Sequence, residues 1–203
     1  MHKVVVSHLV GERKPRLANQ LLKGVARRVR GIPDFFSDGL RFYKKAILLS
    51  YGSKVSFLPT GLRGRPRKPA LLPPSELRYA QVVKHHRGGR LVCVERRQVF
   101  GHFKSEAEIS TTFIERNNLT MRQENHRLAR KTLGFSKKRQ GLDDQMTLFY
   151  AYFNFCRPHG SLQHEDENGI KRKWTPMREL GITNRNWSLL ELLKFPYHKI
   201  SVY

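Results

Sequence analysis

Acidic side chains are the scarce residues of this chain, 16 Asp and Glu against 39 Lys and Arg in 203 residues. An acid at a strand end or within a basic helix is therefore the first place to look for chemistry. Asp38 closes the apolar run of residues 32–37 and precedes Gly39, where a carboxylate at the C-terminal edge of a strand projects into a cleft. Glu115 lies in FIERNNLTMRQENHRLARK, among Arg116, Arg122, Arg127, Arg130 and Lys131. Phosphoryl transfer on nucleic acid uses this combination: carboxylates hold divalent metal ions about 3.5–4 Å apart while a basic surface grips the phosphates. Mg²⁺ keeps several waters, so few protein oxygens suffice. Each acid also has a purely structural alternative. Asp38 can cap the helix expected from Leu40, and Glu115 can close a capping box with Thr112 or form a surface ion pair worth about 0–1 kcal/mol.

The elements that must carry these residues follow from periodicity and turn chemistry. The β-branched run of residues 3–10 predicts a buried strand ended by Gly11. Pro15 opens a helix on which Leu17, Leu21, Leu22, Val25 and Val29 recur at helical spacing until Gly31. Residues 32–37 predict a second strand and 40–49 a second helix. The stretch LPTGLRGRPRKPALLPP holds five of the ten prolines and predicts an extended, exposed excursion. Residues 79–84 and 90–100 alternate as strands about Arg87-Gly88-Gly89, a hairpin. A helix follows from Thr111 or Thr112 to about Thr132, with Ile114, Met121 and Leu128 on one face. Another runs over 142–155 to Arg157-Pro158. The tail, with Trp174 and Trp187, predicts two short elements. Tyr150, Tyr152 and Phe153 read as helix-packing residues.

The excess of basic residues gives a formal net charge of +23. Such a surface calls for an anionic partner, with nucleic acid foremost. The longest apolar stretch, residues 146–156, is too short to span a bilayer, which needs roughly 18 residues, so no membrane segment is expected. Cys93 and Cys156 lack zinc spacing and are expected to be buried hydrophobes in a reduced, intracellular compartment. His85, His86, His159 and His164 form no ligand set. Arg63-Gly64-Arg65-Pro66-Arg67-Lys68 resembles the core of an AT-hook, in which Arg side chains suit a narrow minor groove; a basic connector is the equal alternative. On the Glu115 helix, Asn118, Arg122 and His126 follow at i+3, i+7 and i+11 and are expected to face a bound strand.

Several blocks together carry a family resemblance. VVVSHLVGER, FFSDGLRFYKKAI, and IERNNLTMRQ continuing into RLARKTLGFSK resemble the catalytic half of bacterial insertion-element transposases of the DDE type, in particular the insertion-sequence-one type. LFYAYFNFCRPHGSL, followed by WTPM and a second Trp, is similar to the N-x-x-RPH-x-SL ending of many of these enzymes. The resemblance implies an α/β fold, an incomplete RNase H-like mixed sheet flanked by helices, with a basic Pro-rich insertion and a helical C-terminal tail. It divides the chain into a partial core at 1–57, the insertion and hairpin at 58–104, helices with the final Glu and the RPH motif at 105–163, and the tail at 164–203. It makes Asp38 and Glu115 the second and third acids of a catalytic, metal-holding triad for Mg²⁺ or Mn²⁺. The first Asp of such triads lies on a strand earlier than any here, and Glu12 does not replace it. A truncated, inactive member is the resulting expectation.

The partners implied are double-stranded DNA, both element ends and target, with a homo-oligomer or an intact transposase as possible protein partners. The DNA-binding residues expected are Arg63, Arg65, Arg67, Lys68, Asn118, Arg122, His126, Arg127, Arg130, Lys131, Lys137 and Lys138. A complete member would cut a phosphodiester with Mg²⁺ and transfer the strand. The alternative is a non-catalytic DNA-binding or inhibitory partner of an intact transposase. The location expected is cytoplasmic and nucleoid-associated.

Overall fold

The structure, a computed structural model, describes residues 3–57, 67–166 and 169–196. The chain forms two compact units, Gly11–Phe135 and, separately, Met1–Val10 with Ser136–Tyr203.

In the first unit, α1 (Pro15–Ala26) begins with Pro at its first position, where a missing N–H costs nothing because that donor has no helical partner. Strand β1 (Phe35–Ser37) leads through Asp38 into α2 (Phe42–Tyr51). Strands β2 (Ser53–Val55) and β3 (Ala70–Leu72) pair antiparallel, so the Pro-rich stretch expected as an extended excursion forms a paired strand at its 70–72 segment. Strands β4 (Tyr79–Arg87) and β5 (Arg90–Phe100) form the long hairpin, and β1 lies parallel to β4, giving a mixed sheet ordered β1-β4-β5. Gly88 and Gly89 both have positive φ, 58° and 77°, the pair of left-handed residues that a two-residue turn with the strands' own twist demands. Helix α3 (Thr112–Glu124) follows.

Alternation along the strands divides the apolar residues between two layers. Tyr79 and Phe100 pack with Ala18, Leu22, Ala46, Ile47 and Leu77 under α1 and α2, whereas Ala80 and Val82 pack with Phe103 and Ile109 on the opposite face. Phe35 joins the first cluster and Phe36 the second, so β1 continues the same alternation. This mixed α/β arrangement is consistent with an RNase H-like domain.

The second unit is built on α4 (Arg139–Phe155). Residues 3–10 form no strand. Instead, the Asn154 side chain accepts from Val5 N at 3.0 Å and donates to Val5 O at 2.9 Å. One side-chain amide thus takes the place of a neighbouring strand's peptide, which is why the β-branched run that predicts a strand is not one. Strands β6 (Gln163–Glu165) and β7 (Lys171–Lys173) form a short hairpin. Helix α5 (Pro176–Glu179) is capped by Thr175 and α6 (Leu189–Lys194) by a Ser188–Glu191 capping box. Trp187 packs on Phe155 and Phe195, and His164 stacks on Trp174 at 3.9 Å. Of the two cysteines expected to be buried, Cys156 is, whereas Cys93 is exposed on β5, whose outer half has no layer against it.

Candidate functional site

Asp38 stands where β1 leaves the sheet. Gln81 Nε2 donates to Tyr79 Oη at 2.8 Å, Tyr79 Oη and Ser37 Oγ are 2.8 Å apart, and Ser37 Oγ donates to the Asp38 carbonyl at 2.7 Å. Since the Ser37 proton goes to that carbonyl, the Tyr79 hydroxyl must donate to Ser37. This relay anchors the strand exit to a buried tyrosine. The Asp38 carboxylate accepts from Leu40 N at 3.3 Å, a turn contact ahead of α2, whose N-cap is Arg41 rather than Asp38. The phenols of Tyr43 and Tyr79 are raised above their ordinary values, first by burial and then by the Asp38 charge.

Glu115 sits in the first turn of α3 and meets a cation from the sheet. Lys84, two residues beyond Val82 on the same face of β4, donates to both carboxylate oxygens, at 2.7 and 2.6 Å. The hydroxyl of Thr111, the N-cap residue, donates to Glu115 Oε1 at 2.9 Å. These contacts, Lys84 first, hold the carboxyl below its ordinary pKa. The Thr111 contact replaces the capping box expected with Thr112. Glu115 lines a pocket of about 160 Å³ with Lys84, Arg96, Val94, Ile109 and Thr111 among its walls.

Asp38 is not among the lining residues of this pocket, and no hydrogen bond or ion pair joins it to Glu115. Strict alternation would carry Asp38 to the face of Phe36 and Glu115, but its charge acts on Tyr43 and Tyr79, which belong to the opposite layer. Among the described residues no three His, Cys, Asp or Glu side chains converge as a metal-holding group. A divalent cation needs several hard oxygens at 2.0–2.1 Å for Mg²⁺, whereas both Glu115 oxygens already accept from an ammonium. The residues as placed do not fit the ion.

The expected DNA contacts are spread over several elements. Arg63 and Arg65 lie outside the described residues. Lys68 is exposed, and the Arg67 guanidinium lies over Phe57 at 5.8 Å. Arg122 is exposed in the last turn of α3 and Asn118 is half-buried. His126 falls beyond the helix, which ends at Glu124, in a 3-10 turn where its ring meets Thr132 Oγ1 at 3.1 Å; helical spacing therefore does not bring it to the Glu115 face. Arg127, Arg130 and Lys131 are exposed in the segment that follows α3, and Lys137 and Lys138 are exposed before α4. Lys84 is the residue that sequence reasoning missed. Its signal was its place in YAQVVK, in register with the buried Ala80 and Val82.

Residues 92–155, from β5 to the end of α4, match the family model described as IS1 transposase. No curated protein and no solved structure matches the chain. No helix among the described residues is long and apolar enough to cross a membrane.

Proposed function

From the premise that residues 92–155 mark an insertion-element transposase of the DDE type, we propose that this chain binds duplex DNA and does not cut it by itself. The observation that carries the reading is the engagement of Glu115, within the matched segment, by Lys84 through both oxygens. A carboxylate so held is an ion-paired group of a basic surface. Divalent metal ions are general to the family, but here they would have to displace an ammonium and find further oxygens beyond Asp38 and Glu115. The formal charge of +23 supports the DNA partner, since each phosphate neutralised by Lys or Arg releases a condensed counterion and makes affinity steeply salt-dependent.

The test is Mg²⁺-dependent nicking of labelled duplex by the chain, beside Asp38→Ala and Glu115→Ala, with duplex affinity measured over a range of salt. Binding whose logarithm falls steeply and linearly with the logarithm of salt, without nicking that depends on the two acids, is the expected result. Cleavage lost in both substitutions would overturn the reading, as would salt-insensitive binding.

A further inference from the structure

The far half of the β4–β5 hairpin is not explained by packing. β1 pairs only with residues 79–81 of β4, so from Val82 outward the two strands form a ribbon with no third strand. Every residue from Lys84 to Cys93 is exposed. The ribbon is strongly cationic: Lys84, Arg87, Arg90, Arg96 and Arg97, with Glu95 as its one acid, and Glu95 is already bound to Arg97 and His85.

Two features of the tip point to an anionic, grooved ligand. Arg87 and Arg90 are direct partners across the last rung of the ladder, and like charges placed opposite one another destabilise a strand pair. No acid among the described residues pairs with either, so among them the repulsion stands uncompensated. Next to them the register shifts: His85 faces Cys93 and His86 faces Leu91, leaving Val92 as the extra residue of a β-bulge. Bulges bend a ribbon and re-aim a side chain, and here Leu91 and Val92 are left 53% and 66% exposed. An exposed apolar pair beside two unpaired guanidiniums is poorly suited to water alone.

We propose that this ribbon is a groove-entering arm for duplex DNA, in which Arg87 and Arg90 grip phosphates at the groove edge and Leu91 and Val92 meet base edges within it. The inference rests on the DNA-binding reading above. The major groove admits a two-stranded β-ribbon and is roughly 8.5 Å deep. From Lys84 to Arg87 the strand extends about 10 Å at ~3.3 Å per residue, enough for the outer half of the ribbon to lie along the groove with Leu91 and Val92 towards its floor and the long Arg87 and Arg90 side chains reaching to the phosphates at its edge, while Lys84 stays at Glu115. Thymine methyl groups, displayed only in the major groove, are the apolar surface that Leu91 and Val92 would meet.

The experiment uses the full chain, a mixed-sequence duplex and the same duplex with uracil in place of thymine. The variants are Arg87→Ala/Arg90→Ala, the charge-keeping Arg87→Lys/Arg90→Lys, and Leu91→Ser/Val92→Ser. Loss of two phosphate contacts should lower the logarithmic salt slope by about 1.8 and affinity by roughly tenfold at moderate salt, whereas the lysine variant should keep the slope. The wild type should prefer the thymine duplex, and Leu91→Ser/Val92→Ser should lose that preference with its salt slope intact. If the wild type binds duplex but the alanine variant keeps its slope and affinity, the arm is refuted and the DNA-binding reading stands. Equal binding of thymine and uracil duplexes by the wild type refutes groove entry. If the substitutions instead abolish self-association in sedimentation, the ribbon pairs with a second copy and the proposal fails. A wild type that binds no duplex overturns both readings.

Discussion

Helices α3 and α4 both fall within the segment matched to the transposase family, yet they are used in opposite ways. None of the 13 residues of α3 is buried, and Phe113, Ile114 and Leu119 are each about half exposed. Helix α4 buries Met146, Phe153 and Asn154, and the RPH turn that ends it packs as well, with the His159 ring edge-on to Phe153 at 4.5 Å. A family signature is therefore not one kind of evidence. Around α4 its residues hold a fold together, whereas along α3 they present charge and apolar surface to whatever comes near.

This contrast is broken most directly by matched truncations. Phe153→Ala removes a buried ring from α4 and should cost about 3–5 kcal/mol. Phe113→Ala on α3, half exposed, should stay within about 1 kcal/mol. Both tryptophans belong to the unit containing α4, so their fluorescence during urea unfolding reports that unit, and far-ultraviolet circular dichroism reports both. Equal losses in the two variants would erase the distinction.

Asn154→Ala is the next largest. It strands both peptide groups of Val5, part-buried in the native fold, and should cost about 1–3 kcal/mol. Amide exchange at Val5 should become markedly faster than in the wild type, and protection that survives would mean that the segment is held by something else.

His159 sharpens the same point through pH. Burial first, then the charges of Arg157 and Lys3, push its imidazole below the ordinary value, and its Nε2 is buried without a hydrogen-bond partner. The unfolded chain then takes up a proton before the folded one does. Its share of stability is complete above the ordinary imidazole pKa, about 6.5, and is lost as pH falls from there towards the depressed folded value. His159→Phe should flatten this part of the stability profile, measured by tryptophan fluorescence at a series of pH values, and an unchanged profile would exclude the mechanism.

How far the sequence reaches can be judged from the same residues. Hairpin β4–β5 was legible because Gly88-Gly89 states its turn chemistry locally, and α1, α2 and α4 because their apolar residues repeat within a few turns. Residues 3–10 look like a strand by composition, but their partner is a side chain 149 residues away, and no local pattern announces that. The candidate site behaves likewise. Glu115 was identifiable from its basic helix and family motif, whereas Lys84, 31 residues earlier, meets it only because the first turn of α3 comes beside β4 in the fold. Asp38 was correctly placed at a strand exit, but the Ser37–Tyr79–Gln81 relay that fixes the exit depends on β1 lying parallel to β4.

The smallest effect on stability belongs to the pair at the heart of the α3 surface. The Lys84 and Glu115 side chains are 40% and 49% exposed, so solvent screens them and the pair should contribute no more than about 1 kcal/mol. Because the folded carboxyl is depressed, that contribution is present above the ordinary glutamate pKa and is lost as pH falls through the folded value. Lys84→Met should leave the unfolding midpoint nearly unchanged while moving the Glu115 carboxyl upward, towards its ordinary value, in a carbon-13 titration. Duplex affinity should respond more than stability does. Glu115→Gln removes a negative charge from a cationic pocket and frees the ammonium for a phosphate, so binding should tighten, whereas Lys84→Met should weaken it. In the double variant the two effects should not add, because the charge each residue offers DNA depends on the other. Strict additivity would mean that Lys84 and Glu115 meet the ligand independently, and α3 would then be a passive solvated face.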